Sequence, residues 1–137
     1  MRSVVYVLDS FAVLAYLQDE EGAELVHELL RKAARRDVQL QLSVVNLGEV
    51  YYTVARSRGE QSAEEIVAVV EQLPIEVIDA DRSLTIEAAM LKARYRFSYA
   101  DAFAAGLARA RNGVLVSGDS EFNQLEPEVS ILWLRRS

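Results

Sequence analysis

The sequence predicts a doubly wound α/β fold, in which helices cover both faces of a central parallel sheet of about five strands. Short runs rich in β-branched residues alternate with longer stretches of helical periodicity. Continuous apolar runs of this kind are typical of parallel strands that are buried on both faces. A chain of 137 residues without repeats or linkers is expected to form one domain, residues 1–137, with its own core.

The predicted strands are apolar runs that end at polar residues. The first is the clearest, because it is continuous and stops at Asp9. The carboxyl ends of such strands are where this class of fold places its chemistry. In chain order the strands are predicted at Val4–Leu8, Val38–Val44, Ile75–Ile78, Gly113–Ser117 and Val129–Leu134.

Helices are predicted between the strands, and local signals mark their ends. Gly59, Pro74 and the pair Asn112–Gly113 are typical of positions where helices stop. A capping sequence at Ser62 predicts the start of the helix that stops before Pro74. The other helices are predicted at Glu21–Arg36, Val45–Arg58, Asp81–Tyr95 and Ser98–Arg111.

Composition excludes several classes of catalytic site. The chain has no cysteine, so it has no disulfide framework, thiol nucleophile or cysteine zinc site. His27 is the one histidine, and it lies opposite the apolar stripe of its predicted helix, which gives no support to imidazole catalysis. No glycine pattern matches a dinucleotide-binding or P-loop motif.

Charge and hydropathy indicate an acidic protein of the cytoplasm. The apolar run before Asp9 is too short for a secretory signal, and no run is long enough to cross a bilayer. The net charge is −6, from 15 basic and 21 acidic residues. Such a balance is not typical of a protein that coats nucleic acid, which needs a basic surface.

Four acids occupy positions that solubility does not explain. Asp9 and Asp119 follow predicted strands, so both are expected at the carboxyl edge of the sheet. Glu49 and Asp101 are single charges in otherwise apolar stretches. Each also has a structural explanation: a helix cap or turn for Asp9 and Asp119, a capping box from Ser98 for Asp101, and an exposed helix position for Glu49.

Taken together, the four acids favour a metal site. A doubly wound sheet can bring them to one edge, and no basic residue lies near them in sequence. Clustered carboxylates repel one another and raise each other's pKa. A hard cation such as Mg²⁺ or Mn²⁺, which prefers oxygen ligands, would resolve that conflict.

The segments around these acids resemble the motifs of a known family. They are, in chain order, Tyr6–Ser10, Asn46–Val50, Ser98–Ala105 and Ser117–Phe122. Together they resemble the motifs of PIN-domain nucleases, in particular the VapC-type toxins of bacterial and archaeal toxin–antitoxin pairs. The resemblance covers essentially the whole chain, and its specificity comes from the four motifs jointly.

The resemblance implies a PIN-like three-layer α/β/α fold and a set of catalytic residues. Ser117 would support the site as a polar neighbour, and Glu121 is either an auxiliary acid or a turn residue. Two positions depart from the family pattern: Phe11 stands where a small polar residue is frequent, and Ser120 where proline is common. The acids that would catalyse the reaction and bind Mg²⁺ or Mn²⁺ are Asp9, Glu49, Asp101 and Asp119.

The implied activity is that of an endoribonuclease toxin. Metal-bound carboxylates suit hydrolysis of RNA phosphodiesters by metal-activated water, which leaves 5′-phosphate and 3′-hydroxyl ends. The resemblance also implies a small antitoxin partner and a homodimer. Arg56, Arg58 and the segment Lys92–Phe97 could contact RNA, although the aromatic residues of that segment also suit a core or a dimer interface.

Other functions compete with this interpretation. A phosphoryl-transfer receiver or a haloacid-dehalogenase-type phosphatase would also place Asp9 after the first strand, but both need a lysine at a strand end. Lys32 and Lys92 fall in predicted helices, and Phe11 occupies the position of the phosphatase's second aspartate. Closer alternatives are a PIN nuclease that processes RNA without an antitoxin and a catalytically silent PIN-fold binding module.

Overall fold

The computed structural model describes residues 3–134, which form a five-stranded parallel sheet flanked by helices. This architecture confirms the predicted fold class. The strands are β1 (Val5–Leu8), β2 (Gln39–Ser43), β3 (Glu76–Ile78), β4 (Val114–Ser117) and β5 (Ser130–Trp133). The helices are α1 (Ser10–Leu17), α2 (Ala23–Ala34), α3 (Val44–Arg58), α4 (Glu60–Gln72), α5 (Arg82–Arg94) and α6 (Tyr99–Ala110), and a 3-10 helix spans Ser120–Leu125.

The order of the strands places β1 in the centre of the sheet. The order is β3-β2-β1-β4-β5, so the chain builds outward from β1 on one side and then on the other. Leu8 is paired with Leu42 of β2 and with Val116 of β4. The strand order therefore reverses between β1 and β4, and the crevice beyond their carboxyl ends is where ligands bind in open α/β sheets.

Successive residues of the central strands feed two separate hydrophobic cores. Val7 and Leu115 belong to the core under α5 and α6, whereas Leu8 and Val116 belong to the core under the other helices. This alternation follows from the two-residue period of a strand, and all four side chains are fully buried. The continuous apolar runs of β1 and β4 are thus explained by burial on both faces.

Two elements were not predicted, and one predicted boundary is wrong. The α1 sequence is apolar almost all round and therefore lacks an amphipathic stripe. The 3-10 helix Ser120–Leu125 is too short to show a period. The capped start predicted at Ser62 is wrong, because α4 begins at Glu60 directly after Gly59, whose φ of 94° ends α3 and turns the chain.

No helix in the described part of the chain is both long enough and apolar enough to cross a membrane.

Candidate active site

The first acid, Asp9, is buried between β1 and α1, with 2% of its surface exposed. It is the N-cap of α1: its Oδ1 accepts a hydrogen bond from the backbone N–H of Ala12 at 2.8 Å. Its Oδ2 accepts a hydrogen bond from the hydroxyl of Ser117. The structural explanation considered for Asp9, a helix cap, is therefore correct, and it accounts for only one of the two carboxylate oxygens.

The Ser117 hydroxyl connects Asp9 to Asp119. Ser117 is fully buried at the end of β4, and its Oγ also accepts a hydrogen bond from the backbone N–H of Asp119 at 3.0 Å. Asp119 in turn caps the 3-10 helix, since its Oδ1 accepts from the backbone N–H of Glu121 at 2.9 Å. The predicted supporting position of Ser117 thus lies between two of the four acids.

The third acid, Glu49, reaches the same edge of the sheet from the second turn of α3. Its Oε1 accepts a hydrogen bond from the hydroxyl of Ser10, the residue that follows Asp9. Its Oε2 lies 3.4 Å from the hydroxyl of Tyr52, one turn further along α3. Glu49 is therefore held by neighbouring polar groups rather than pointing freely into solvent.

A buried amide ties these elements together. The Nδ2 of Asn46 donates to Ser10 Oγ at 3.2 Å and to the backbone oxygen of Ala100 at 3.1 Å, which connects α3 to α1 and α6. The other amide atom of Asn46, Oδ1, is buried without a hydrogen-bond donor among residues 3–134. A buried acceptor without a hydrogen-bond donor lowers the stability of the fold unless another group, a water molecule or an ion interacts with it.

The fourth acid, Asp101, lies in the first turn of α6. Ser98 is the N-cap of this helix, and its Oγ accepts from the backbone N–H of Asp101 at 3.0 Å. The pKa of the Asp101 carboxyl is raised to about 7, mainly by burial and in addition by the charges of Asp119 and Glu49. The serine half of the capping box considered from the sequence is present, and the Asp101 carboxyl is coupled electrostatically to Asp119 and Glu49.

The same electrostatic coupling reaches Asp9. Burial is the main cause that raises the pKa of Asp9 to about 7, and the charges of Asp101 and Asp119 add to it. The hydrogen bonds from Ser117 and Ala12 act in the opposite direction. The structure therefore brings the four predicted acids together, and no lysine or arginine between residues 3 and 134 forms an ion pair with any of them.

The donor set fits a hard divalent cation in its chemistry. It consists of four carboxylates without a basic partner and one buried amide oxygen without a donor, all of which are oxygen ligands or acceptors. Over the described range 3–134, no three acidic or histidine side chains lie in an arrangement that would enclose an ion as they stand. Coordination would therefore require the carboxylate side chains to rotate toward one another.

Three residues of this site were missed by the sequence interpretation. They are Ser10, Asn46 and Tyr52, which contact Glu49 or one another. Asn46 and Tyr52 lie three residues before and after Glu49, so helical spacing alone would have placed all three on one face of α3. Ser10 had a weaker signal, namely its position directly after Asp9.

Exposed aromatic side chains border the acids. Phe11, Tyr52 and Tyr99 each have nearly half of their surface exposed, and each is close in sequence or space to a different acid. The ring of Phe11 covers Gly118, where a Cβ atom would lie only 2.4 Å from its Cε1 atom. The unusual phenylalanine after Asp9 is therefore matched by a glycine before Asp119.

Comparison with known proteins establishes the family. The family model described as the PIN domain matches residues 6–126, which include all four acids. The chain belongs to the PIN domain family. The family predicted from the four motifs is thereby confirmed. No curated protein sequence is significantly similar to this PIN domain.

Several solved structures share the fold of this PIN domain. VapBC2 from Rickettsia felis, bound to a DNA fragment from its promoter, is 20% identical, with a TM-score of 0.74 over 96% of this chain and 99% of that one. DNA-bound VapBC from Salmonella typhimurium is 19% identical, with a TM-score of 0.75 over the same shares. VapC20 from Mycobacterium tuberculosis, described as a sarcin-ricin loop cleaving toxin, is 18% identical, with a TM-score of 0.67 over 88% and 94%. At these identities the similarity establishes the fold.

Loss of the Ser117 hydroxyl should weaken the site without removing an acid. Ser117→Ala deletes the donor that lowers the pKa of Asp9 and the acceptor that holds the N–H of Asp119. We expect the apparent affinity for Mn²⁺, measured from the stabilisation that the ion gives, to fall by about 10- to 100-fold. This loss is typical when a group that supports metal ligands is removed. Thermal denaturation over a Mn²⁺ series measures this. Ser117→Thr keeps the hydroxyl and should retain the wild-type affinity; an equal loss in both variants would contradict the explanation.

Proposed function

We propose that this PIN domain is a metal-dependent endoribonuclease that acts as the toxin of a toxin–antitoxin pair. The observation that carries the proposal is the convergence of Asp9, Glu49, Asp101 and Asp119 at the switch point of the sheet without a basic partner. The raised pKa values of Asp9 and Asp101 mean that their ionisation destabilises the metal-free fold. The presence of these acids at the ligand-binding edge of an α/β sheet supports a functional role.

The four acids would hold Mg²⁺ or Mn²⁺ and would carry the catalytic role. When bound, such a cation supplies a water of lowered pKa and stabilises negative charge on a phosphate oxygen. The chain's own polar groups prepare this site: Ser117 holds Asp9, and Ser10 holds Glu49. Without a cation Asp9 and Asp101 retain protons near neutral pH, so binding a cation would release protons from these two groups.

Structures that share the fold support the proposed substrate class and partner. One of them, VapC20, is named as a toxin that cleaves the sarcin-ricin loop, which supports RNA as the substrate class. Others are VapBC complexes, some bound to DNA, which supports a small antitoxin as the partner of this chain. A homodimer and a cytoplasmic location complete the proposal. Glu121 is exposed in the first turn of the 3-10 helix, where its backbone N–H donates to Asp119, which favours a turn residue over an auxiliary acid.

An RNA cleavage assay tests the nuclease proposal. The purified chain should cut a structured RNA in Mn²⁺ or Mg²⁺. An excess of chelator should reduce the rate to background, because it would remove the cation that the four carboxylates are proposed to hold. Gel separation of the products, with and without prior phosphatase treatment, should show 5′-phosphate ends. Ca²⁺ in place of Mn²⁺ serves as a control for charge neutralisation alone.

The outcomes separate the competing functions. Cleavage that continues in chelator would overturn the metal-dependent mechanism, and no cleavage in any metal would favour a binding module. The toxin assignment requires in addition that induction of the chain arrests growth and that a small protein encoded beside it relieves the arrest. Cleavage without growth arrest would favour an RNA-processing enzyme.

A further inference from the structure

A basic cleft lies beside the acids, between the 3-10 helix and the last turn of α5 with the connection that follows it. Its volume is about 580 Å³. The acid Glu121 lines it, and Glu121 also acts on Asp101, so the cleft adjoins the carboxylate cluster. Its other lining residues form one continuous segment, Lys92–Phe97. This segment carries three of the chain's 15 basic residues.

The segment is anchored so that one arginine faces outward. Phe97 is 4% exposed and packs against Phe122, with ring centroids 5.9 Å apart. Tyr95 packs against Phe97 on the same side, at 6.1 Å. Arg96 lies between these two inward-facing residues and is exposed. The packing of the two aromatic residues on either side therefore positions the backbone of Arg96, and the Arg96 side chain takes no part in this packing.

Gln124 holds the backbone of Arg96 against the 3-10 helix. The Nε2 of Gln124 donates to the backbone oxygen of Arg96 at 3.0 Å and to that of Glu121 at 2.9 Å. The backbone N–H of Arg96 lies 3.4 Å from Oε1 of the same amide. Because the 3-10 helix starts directly after Asp119, this amide fixes Arg96 relative to one of the acids.

The three basic side chains differ in their availability. Lys92 Nζ donates to the backbone oxygen of Phe97 at 2.6 Å, and Arg94 lies 3.7 Å from a carboxylate oxygen of Glu128. Arg96 forms no ion pair with any acid in the part of the chain that the structure describes. A guanidinium that lacks a carboxylate partner and extends from an anchored backbone is suited to bidentate contact with a phosphate.

We propose that this cleft binds a backbone phosphate of the RNA strand next to the phosphate that is hydrolysed. Arg96 makes the contact, and Gln124 is a positioning residue. This inference rests on the proposed ribonuclease function and adds to it a substrate-binding site outside the four acids. An overall charge of −6 disfavours nucleic acid, so an unpaired cation on an anchored backbone beside the acids would help to hold the strand there.

Salt-dependent RNA binding tests the cleft without relying on turnover. The full chain carrying Asp9→Asn, in EDTA, is titrated against a fluorescent single-stranded RNA of mixed sequence at several salt concentrations. Loss of one phosphate contact lowers the slope of log affinity against log salt by about 0.7, which corresponds to about fivefold weaker binding at 0.1 M salt. We expect this change for Arg96→Ala. Gln124→Ala should weaken binding and leave the slope unchanged, because the charge remains while the backbone that carries it loses its anchor.

Arg82→Ala is the matched control for charge. Arg82 is the first residue of α5, and the last residue of α5, which lines the cleft, is about 18 Å away along the helix. Loss of Arg82 changes the net charge by the same amount as loss of Arg96. Equal losses for Arg82→Ala and Arg96→Ala would overturn the proposal, as would unchanged binding by Arg96→Ala or no RNA binding by the chain. If Arg96→Ala instead lost only the complex with a small neighbouring protein, the cleft would be a protein contact and the proposal wrong. Cleavage by the wild type in Mn²⁺ is measured separately, so that failure of the nuclease proposal is distinguished from failure of the cleft proposal.

Discussion

Asp9→Asn should reduce RNA cleavage by more than about 100-fold, whereas Asp81→Asn should leave it unchanged. Loss of a group that merely supports metal ligands already costs about 10- to 100-fold, so loss of a proposed ligand should cost more. The two aspartates have the same structural role. Each caps a helix by accepting a backbone hydrogen bond at 2.8 Å, Asp9 for α1 and Asp81 for α5. Asparagine caps a helix about as well as aspartate, so neither change should unfold its helix.

The comparison of these variants isolates the charge of Asp9 from its capping role. Initial rates are measured in Mn²⁺ for wild type and both variants, with circular dichroism to confirm that helix content is retained. Wild-type activity of Asp9→Asn would show that Asp9 is only a cap and that the metal site has been assigned to the wrong residues. Equal losses in the two variants would attribute the effect to the helix ends.

In the absence of metal, the free energy of unfolding should fall as the pH rises from about 4 to about 7. The pKa of Asp9 is 3.8 in the unfolded chain and about 7 in the folded one, so the folded state binds more protons across this interval. The contribution of Asp9 to the free energy of unfolding is fully present below its pKa in the unfolded chain. It is lost as the pH rises to its pKa in the folded chain. A shift of this size corresponds to about 4 kcal/mol, because each pKa unit is worth about 1.4 kcal/mol. Asp101 contributes in the same direction.

Asp9→Asn should therefore stabilise the metal-free protein at pH 8 by about 2–4 kcal/mol while it removes activity. Urea denaturation at pH 4.5 and pH 8, in EDTA and in Mn²⁺, measures this. Mn²⁺ should restore the stability of the wild type at pH 8 and have little effect on Asp9→Asn, because the ion binds the folded state through the charge that the variant lacks. Asp81→Asn, at an exposed cap, should follow the wild type. A wild type that is equally stable at both pH values would contradict the raised pKa.

Local pattern in the sequence was sufficient for most of the fold. The apolar runs predicted the five strands, and the ends of α2 and α6 lie within two residues of their predicted positions. The failures have a physical cause. The helix α1 is buried on several sides and so has no polar face to give it a period, and the start of α4 depends on the positive φ of Gly59, which residue type alone permits but does not require.

In the candidate site too, local sequence predicted some features, and others depend on the tertiary structure. Position after a strand or within an apolar stretch was enough to select Asp9, Glu49, Asp101 and Asp119, because charges in such places are costly unless they are used. The long-range hydrogen bonds around these acids, from Ser117 to Asp9, from Ser10 to Glu49 and from Asn46 to Ser10, join residues from 36 to 108 positions apart. Nothing in local sequence specifies such pairs, since they form only when the sheet brings its strand ends together.

The sequence by itself predicted the family, through the resemblance of its four motifs, and the parallel α/β architecture, through its period and order; it also selected the four acids as candidates by their positions. The tertiary structure decided that the acids form one coupled group with two pKa values near 7, because burial and distance exist only in the folded chain. It also decided which of the basic residues near the α6 start is available. The backbone of Arg96 lies between the aromatic residues Tyr95 and Phe97 and is bonded to Gln124, a contact across 28 residues that periodicity does not show.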